Sequence, residues 1–326
     1  MEALFQKRFY MGKTSKQSED KNTAFLFIII PTLMLIVGYM FYPPPYELEV
    51  IPIFVPPLII IALGLLGTGF FLNKKTVGKQ LKILGWMVFA FYWATQPAKL
   101  YLTENNDIFN ATLCIIGVYV LAYIAYHEWL SIRRNKKISC LNWIAGAAFI
   151  AGFIYFGFEI TPLSMWLRQV VAAHSGQFLS LVTGETVVVG GADNLYISYK
   201  NASIYLIFAC TAVQAMVIFV GMILPLQKVD IKRKLIGLAI TLIPIYILNF
   251  MRNAMVVFLM GNDIADFFMA HNVISKIGAL VTLIILLLIV VKIIPEILDE
   301  IFCLTDLRKR NGPIEKFFKN IIGERK

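Results

Sequence analysis

A cysteine, an arginine and a histidine fall in consecutive apolar stretches of this chain: Cys210, Arg252 and His271. Together they have the parts needed for acyl transfer. A thiol attacks only as the thiolate, and a nearby cation or histidine favours that form. A histidine can take the thiol proton and later return it to a leaving amine. A guanidinium keeps its charge at any physiological pH and can donate to the oxyanion of a tetrahedral intermediate. Arg252 lies inside the apolar run Leu235–Met260, where a charge at mid-membrane costs about 2.5–3.5 kcal/mol on insertion scales. A residue kept at that cost is a functional candidate. Polar neighbours accompany each of the three: Thr211 and Gln214 near Cys210, Asn249 and Asn253 around Arg252, Asn272 and Ser275 after His271. Such polar stripes favour another helix over lipid. Taken singly, each residue has a plainer reading. A membrane cysteine is more often a packing residue, an interfacial histidine a satisfied one, and an arginine can be structural or snorkel outward. Cys114 and His174 are rivals by position. The four cysteines have no metal-ligand spacing, so neither metal nor cofactor is expected.

The elements that position these residues follow from composition. Hydrophobic residues make up 59% of the 326 and charged residues 15%, with a mean hydropathy of +0.73. This is the composition of a polytopic membrane protein. The net charge of +10 resides in short basic runs between apolar spans, as the positive-inside rule requires, and is not a nucleic-acid footprint. The fold expected is all-α, with about eight transmembrane helices of about 20 residues each, over 24–42, 53–72, 83–102, 108–127, 141–160, 205–225, 236–259 and 273–294. Most of the 30 lysines and arginines fall in alternate connecting segments, while PPPYELEV, TENND and GNDIADFFMAHN have none. Both termini are therefore expected in the cytoplasm and the protein in the cell membrane. Residues 1–23 read as a cytoplasmic segment, 24–294 as one membrane-embedded catalytic domain without internal repeat, and 295–326 as a basic cytoplasmic tail. The first span is too long for a signal-peptide core. Cys140 and Cys303 fall on the basic side, so no disulfide framework is expected. IEKFFKNII in the tail is either an amphipathic helix on the inner surface or a solvated segment.

One outer segment, 161–204, is long. Thr161-Pro162 is a helix start, apolar residues recur at helical spacing to Leu181, and Gly184 can end the helix. Arg168, Gln169, His174 and Gln177 argue against lipid exposure, so an outer-face helix is expected. TVVV (186–189) and LYISY (195–199) flank GGADN and read as a short β-hairpin. It offers main-chain groups to an extended peptide, or is simply a packed cap. The charge topology places Cys210 roughly 7 Å and Arg252 about 10 Å below the outer ends of their spans, and His271 at the outer mouth of its own.

YLIFACTAVQAMVIFVGMILP (205–225), NFMRN (249–253) and HNVISKIG (271–278) resemble the three signature regions of the exosortase/archaeosortase family. The resemblance covers about 155–294, and ACTAVQAM with RNAMVVF is most like archaeal members. It implies a membrane-embedded cysteine transpeptidase (a thiol protease when water is the acceptor). Cys210 would be the nucleophile, Arg252 the essential arginine and His271 the histidine, with Gln214, Asn249, Asn253 and Ser275 in support. The implied partner is the C-terminal sorting signal of an exported surface-protein precursor: a short motif, a transmembrane helix and a basic tail. Cleavage near the outer face through a thioester, then transfer to a lipid acceptor, is the expected course. Other classes remain. A transporter could use Arg252 as an anion ligand, although paired broken helices are not evident beyond Pro225 and Pro244. A scaffold subunit could use the polar stripes to bind partner helices.

Overall fold

The structure is a computed structural model that describes residues 22–40, 51–102, 108–191 and 194–322. The segment expected over 1–23 thus lies outside the described residues except for its last two positions, as do PPPYELEV and TENND. The chain divides into two units: Met1–Ala145 with Glu300–Lys326, and Gly146–Asp299.

The first unit holds α1 (Asn22–Met40), α2 (Ile51–Phe71), α3 (Thr76–Ala94), α4 (Gln96–Leu102), α5 (Ile108–Arg133) and the start of α6 (Ser139–Glu159). The apolar run expected as one span over 83–102 is broken at Thr95. Pro97 lacks the N–H that would continue the ladder to Trp93. A buried ion pair, Lys82 Nζ to Glu128 Oε1 at 2.6 Å, joins α3 to α5. Asn142 Oδ1 on α6 accepts from the same ammonium at 3.3 Å. The tail docks on α5 through α12 (Pro313–Ile322) instead of trailing in solvent. Glu315 accepts from Tyr123 (2.7 Å), Tyr126 (3.2 Å) and the Gly312 N–H (2.7 Å), and His127 Nε2 lies 3.2 Å from it. Burial pushes the Glu315 carboxyl upward, but the hydrogen bonds from His127 and Tyr123 outweigh it and hold the group at about 2. Phe318 and Ile321 stay exposed.

Cys140 and Cys303 form a disulfide, contrary to expectation. Compartment was the argument against it. Geometry argues for it: the first turn of α6 and the end of α11 (Glu296–Thr305) bring the two Cα atoms to 5.9 Å, within bonding range.

The second unit continues α6 and adds α7 (Leu163–Thr183), which ends at Gly184 in the left-handed region, φ 69°. The expected hairpin forms between β1 (Val188–Gly190) and β2 (Tyr196–Tyr199). A third strand, β3 (Ala202–Tyr205), completes an antiparallel sheet of order β1-β2-β3. A 3₁₀ turn (Phe208–Thr211) leads to α8 (Val213–Ile223). The run expected as a helical span over 205–225 is therefore helical only in its second half. It begins with a strand residue and a turn, and α8 has just 11 residues. Gly221 brings α8 against α6: a Cβ there would meet the Ala147 carbonyl at 2.8 Å. The long α9 (Ile231–Gly261) runs unbroken through Pro244. A wide π-helical turn (Phe268–Ile274) opens α10 (Ser275–Ile293). Arg233 pairs with both oxygens of Glu296 (2.8 and 2.9 Å), tying the start of α9 to the chain beyond α10. The core of this unit collects Val171 and Leu179 of α7, Ile197 and Ile204 of the sheet, and Val256 and Val257 of α9. Cys210 belongs to it.

Among the described residues, five helices are long and apolar enough to cross a membrane: Asn22–Met40, Ile108–Arg133, Ser139–Glu159, Ile231–Gly261 and Phe268–Ile293. The protein is an α-helical, multi-pass membrane protein with a small sheet. The remaining expected spans correspond to α2, to α3 with α4, and to the short α8.

Candidate active site

Cys210 sits in the 3₁₀ turn, not within a helix. Its N–H donates to the Ile207 carbonyl at 2.9 Å. Two residues on, Ala212 takes a left-handed conformation, φ 61°, which costs a residue with a Cβ roughly 1–2 kcal/mol. Only a turn held from outside keeps such a shape. The hold comes from α9. Asn249 Nδ2 and Asn253 Nδ2 both donate to the Cys210 carbonyl, at 2.8 and 3.1 Å. They are four residues apart and so share a helix face. A carbonyl oxygen has two acceptor directions, and here both are taken. Both asparagines are buried.

Arg252 joins this arrangement through Asn253. Its Nη2 donates to Asn253 Oδ1 at 3.0 Å. The amide of Asn253 is thereby oriented by chemistry alone: arginine has only donors and the Cys210 carbonyl only accepts. Among the described residues, nothing accepts from the buried Nε of Arg252. The guanidinium lies within electrostatic reach of Cys210 and of His271. Cys210, only 8% exposed, thus shares its surroundings with a permanent cation.

His271 belongs to the π-helical turn, and its ring stacks on Phe267, with centroids 5.0 Å apart and planes 8° from parallel. Ser275 donates to the Ala270 carbonyl twice, from its main-chain N–H and from Oγ at 2.9 Å, which fastens the end of the wide turn that bears His271. Gln214 donates to the Tyr155 hydroxyl at 3.2 Å. A cavity of about 460 Å³ opens against the turn, lined by Ala209 and Ala212 on either side of Cys210, by Asn249 and Arg252, and by Ser275 and Gly278 of α10.

The two rivals are placed differently. Cys114 belongs to α5, in the first unit. His174 bonds through Nδ1 to the Tyr246 hydroxyl and packs edge-on against Phe250, so α9 engages its ring directly. Sequence reasoning missed the carbonyl that Asn249 and Asn253 share, the left-handed Ala212 and the third strand. The four-residue spacing of the asparagines was visible; their target was not.

The chain is 25% identical over 284 residues to archaeosortase A of Haloferax volcanii, covering 74% of this chain and 91% of that protein. It is 23% identical over 258 residues to archaeosortase A of Natronomonas pharaonis, covering 70% and 79%. No family model and no solved structure matches.

Proposed function

We propose that this archaeosortase-like chain is a membrane cysteine transpeptidase that removes the C-terminal sorting signal of an exported precursor protein. The observation that carries the reading is the clamp on the nucleophile turn: Asn249 and Asn253 fix Cys210 while Arg252, held by Asn253, keeps a guanidinium beside it. A packing cysteine needs no such device.

In this reading His271 takes the Cys210 proton. The thiolate adds to a peptide carbonyl, and the oxyanion is met by Arg252, whose Nε has no acceptor among the described residues. Collapse breaks the C–N bond, His271 protonates the departing amine, and a thioester remains on Cys210. An amine, expected on a lipid, then attacks the thioester and gives its proton to His271. The C–S bond breaks, and the sulfur recovers its proton. With water as acceptor the same steps give hydrolysis. Ser275 supports the turn that bears His271, and Gln214 the wall of the cavity. Basic segments inside set both termini in the cytoplasm, with residues 24–294 forming the catalytic part and the Cys210 turn facing outward.

Cells carrying Cys210→Ala test this reading. They should accumulate a full-length precursor that still has its C-terminal helix, while Cys114→Ala cells process normally. Normal processing by Cys210→Ala would end it.

A further inference from the structure

The third strand ends where the nucleophile turn begins, and its register leaves one edge open. Tyr199 and Ala202 flank the hairpin turn, and Leu206 N donates to the Leu195 carbonyl at 2.8 Å. Antiparallel pairing alternates, so Ala202, Ile204 and Leu206 direct their main-chain groups toward β2. Ser203 and Tyr205 direct both N–H and C=O the other way, and Ile207 directs its N–H with them. Among the described residues, no main-chain group takes these up. The side chains of Tyr205 and Ile207 are 67% and 60% exposed. Donors and acceptors thus repeat every two residues, about 6.8 Å apart, and the row ends three residues before Cys210. An open apolar strand edge is normally covered or charged, because it pairs with whatever extended chain it meets. Among the described residues this edge pairs with no other strand, and Ala202–Ile207 carry no charge.

We infer that the β3 edge binds the substrate as an added strand: the extended peptide outside the precursor's membrane helix pairs with Ser203, Tyr205 and Ile207 and is thereby carried to Cys210. The inference rests on the transpeptidase reading above. Main-chain pairing explains how an enzyme can hold a flexible segment in one extended form. The occupant is set by position, because the edge runs into the turn of Cys210, and the cavity lined by Ala209 and Ala212 opens beside that turn. Tyr205 and Ile207 flank the added strand and favour apolar side chains at alternate substrate positions.

The test uses the full-length protein and the precursor that accumulates in Cys210→Ala cells. A photo-crosslinking residue is placed at 203, 205 or 207, or at 188 on the opposite edge of the sheet, in the Cys210→Ala protein. Adducts with the precursor are expected at 203, 205 and 207 and not at 188. In the active enzyme, Tyr205→Pro removes one outward N–H without touching the β2 ladder, a position where a strand tolerates proline. It should raise KM about five- to tenfold, the share of one hydrogen bond. Alkylation of Cys210 by a small thiol reagent should stay unchanged, which a merely structural defect would not allow. Adducts only at 188, or a well-folded Tyr205→Pro enzyme with normal KM, would overturn the inference while Cys210-dependent processing stands. Should Tyr205→Pro fail to fold, the adducts decide alone. Processing that survives Cys210→Ala would instead overturn the transpeptidase reading.

Discussion

Removing the asparagines should show that the Cys210 carbonyl is held by two bonds, each partly compensating for loss of the other. Either Asn249→Ala or Asn253→Ala leaves one hydrogen bond on that oxygen, so each single change loses about 1 kcal/mol, or roughly fivefold in rate. Asn253→Ala should cost somewhat more, since Arg252 also loses its acceptor. The double variant leaves a buried carbonyl with no donor, adding about 1–3 kcal/mol. Its rate should fall roughly 100-fold or more, beyond the product of the singles. That excess is the coupling expected of residues sharing one partner. The assay is kcat/KM for precursor cleavage per folded molecule, alongside the rate of Cys210 alkylation, which should change too if the turn relaxes. A double variant equal to the product of its singles, or one with unaltered alkylation and turnover, would refute the idea that α9 positions the nucleophile.

Arg252→Lys keeps the charge but loses the directed donors, and turnover should fall on the order of 10²–10³-fold with normal protein levels; near-normal turnover would remove Arg252 from the chemistry. Glu128→Gln leaves the buried Lys82 ammonium without its counter-charge, a loss of about 3–5 kcal/mol, seen as a lower melting temperature in detergent with turnover per folded molecule preserved. Glu315 is ionised more readily in the folded protein, at about 2 against the ordinary 4.5. It should therefore stabilise tail docking fully above about pH 4.5 and lose that contribution as pH falls toward 2. Limited proteolysis of the tail across that range reads it, and Glu315→Gln should flatten the profile.

Local signals with a steric cause were legible in the sequence. Thr161-Pro162 and Gly184 bounded α7 to within two residues, because proline suits only a helix start and glycine readily takes the left-handed cap. The alternation in LYISY marked β2 for the same kind of reason. The segment before Cys210 failed the same method. ASIYLIF is apolar enough for a span, and hydropathy does not separate a short buried strand from half a helix. The 3₁₀ turn has no signature there, since its left-handed residue is alanine, not glycine. The disulfide was missed because compartment was weighed before distance. Polar spacing named Asn249, Asn253 and Arg252 as a group, but periodicity says which face a residue occupies, not which carbonyl it meets across the fold.

Transpeptidation by this chain requires a covalent bond between Cys210 and its substrate. The direct measurement quenches the enzyme in acid during turnover with its precursor and maps the acylated peptide by mass spectrometry. An adduct is expected on the peptide containing Cys210, released by hydroxylamine as a thioester should be, and absent from Cys210→Ala. Processing that proceeds with no such adduct, or with the acyl group on Cys114, would contradict it.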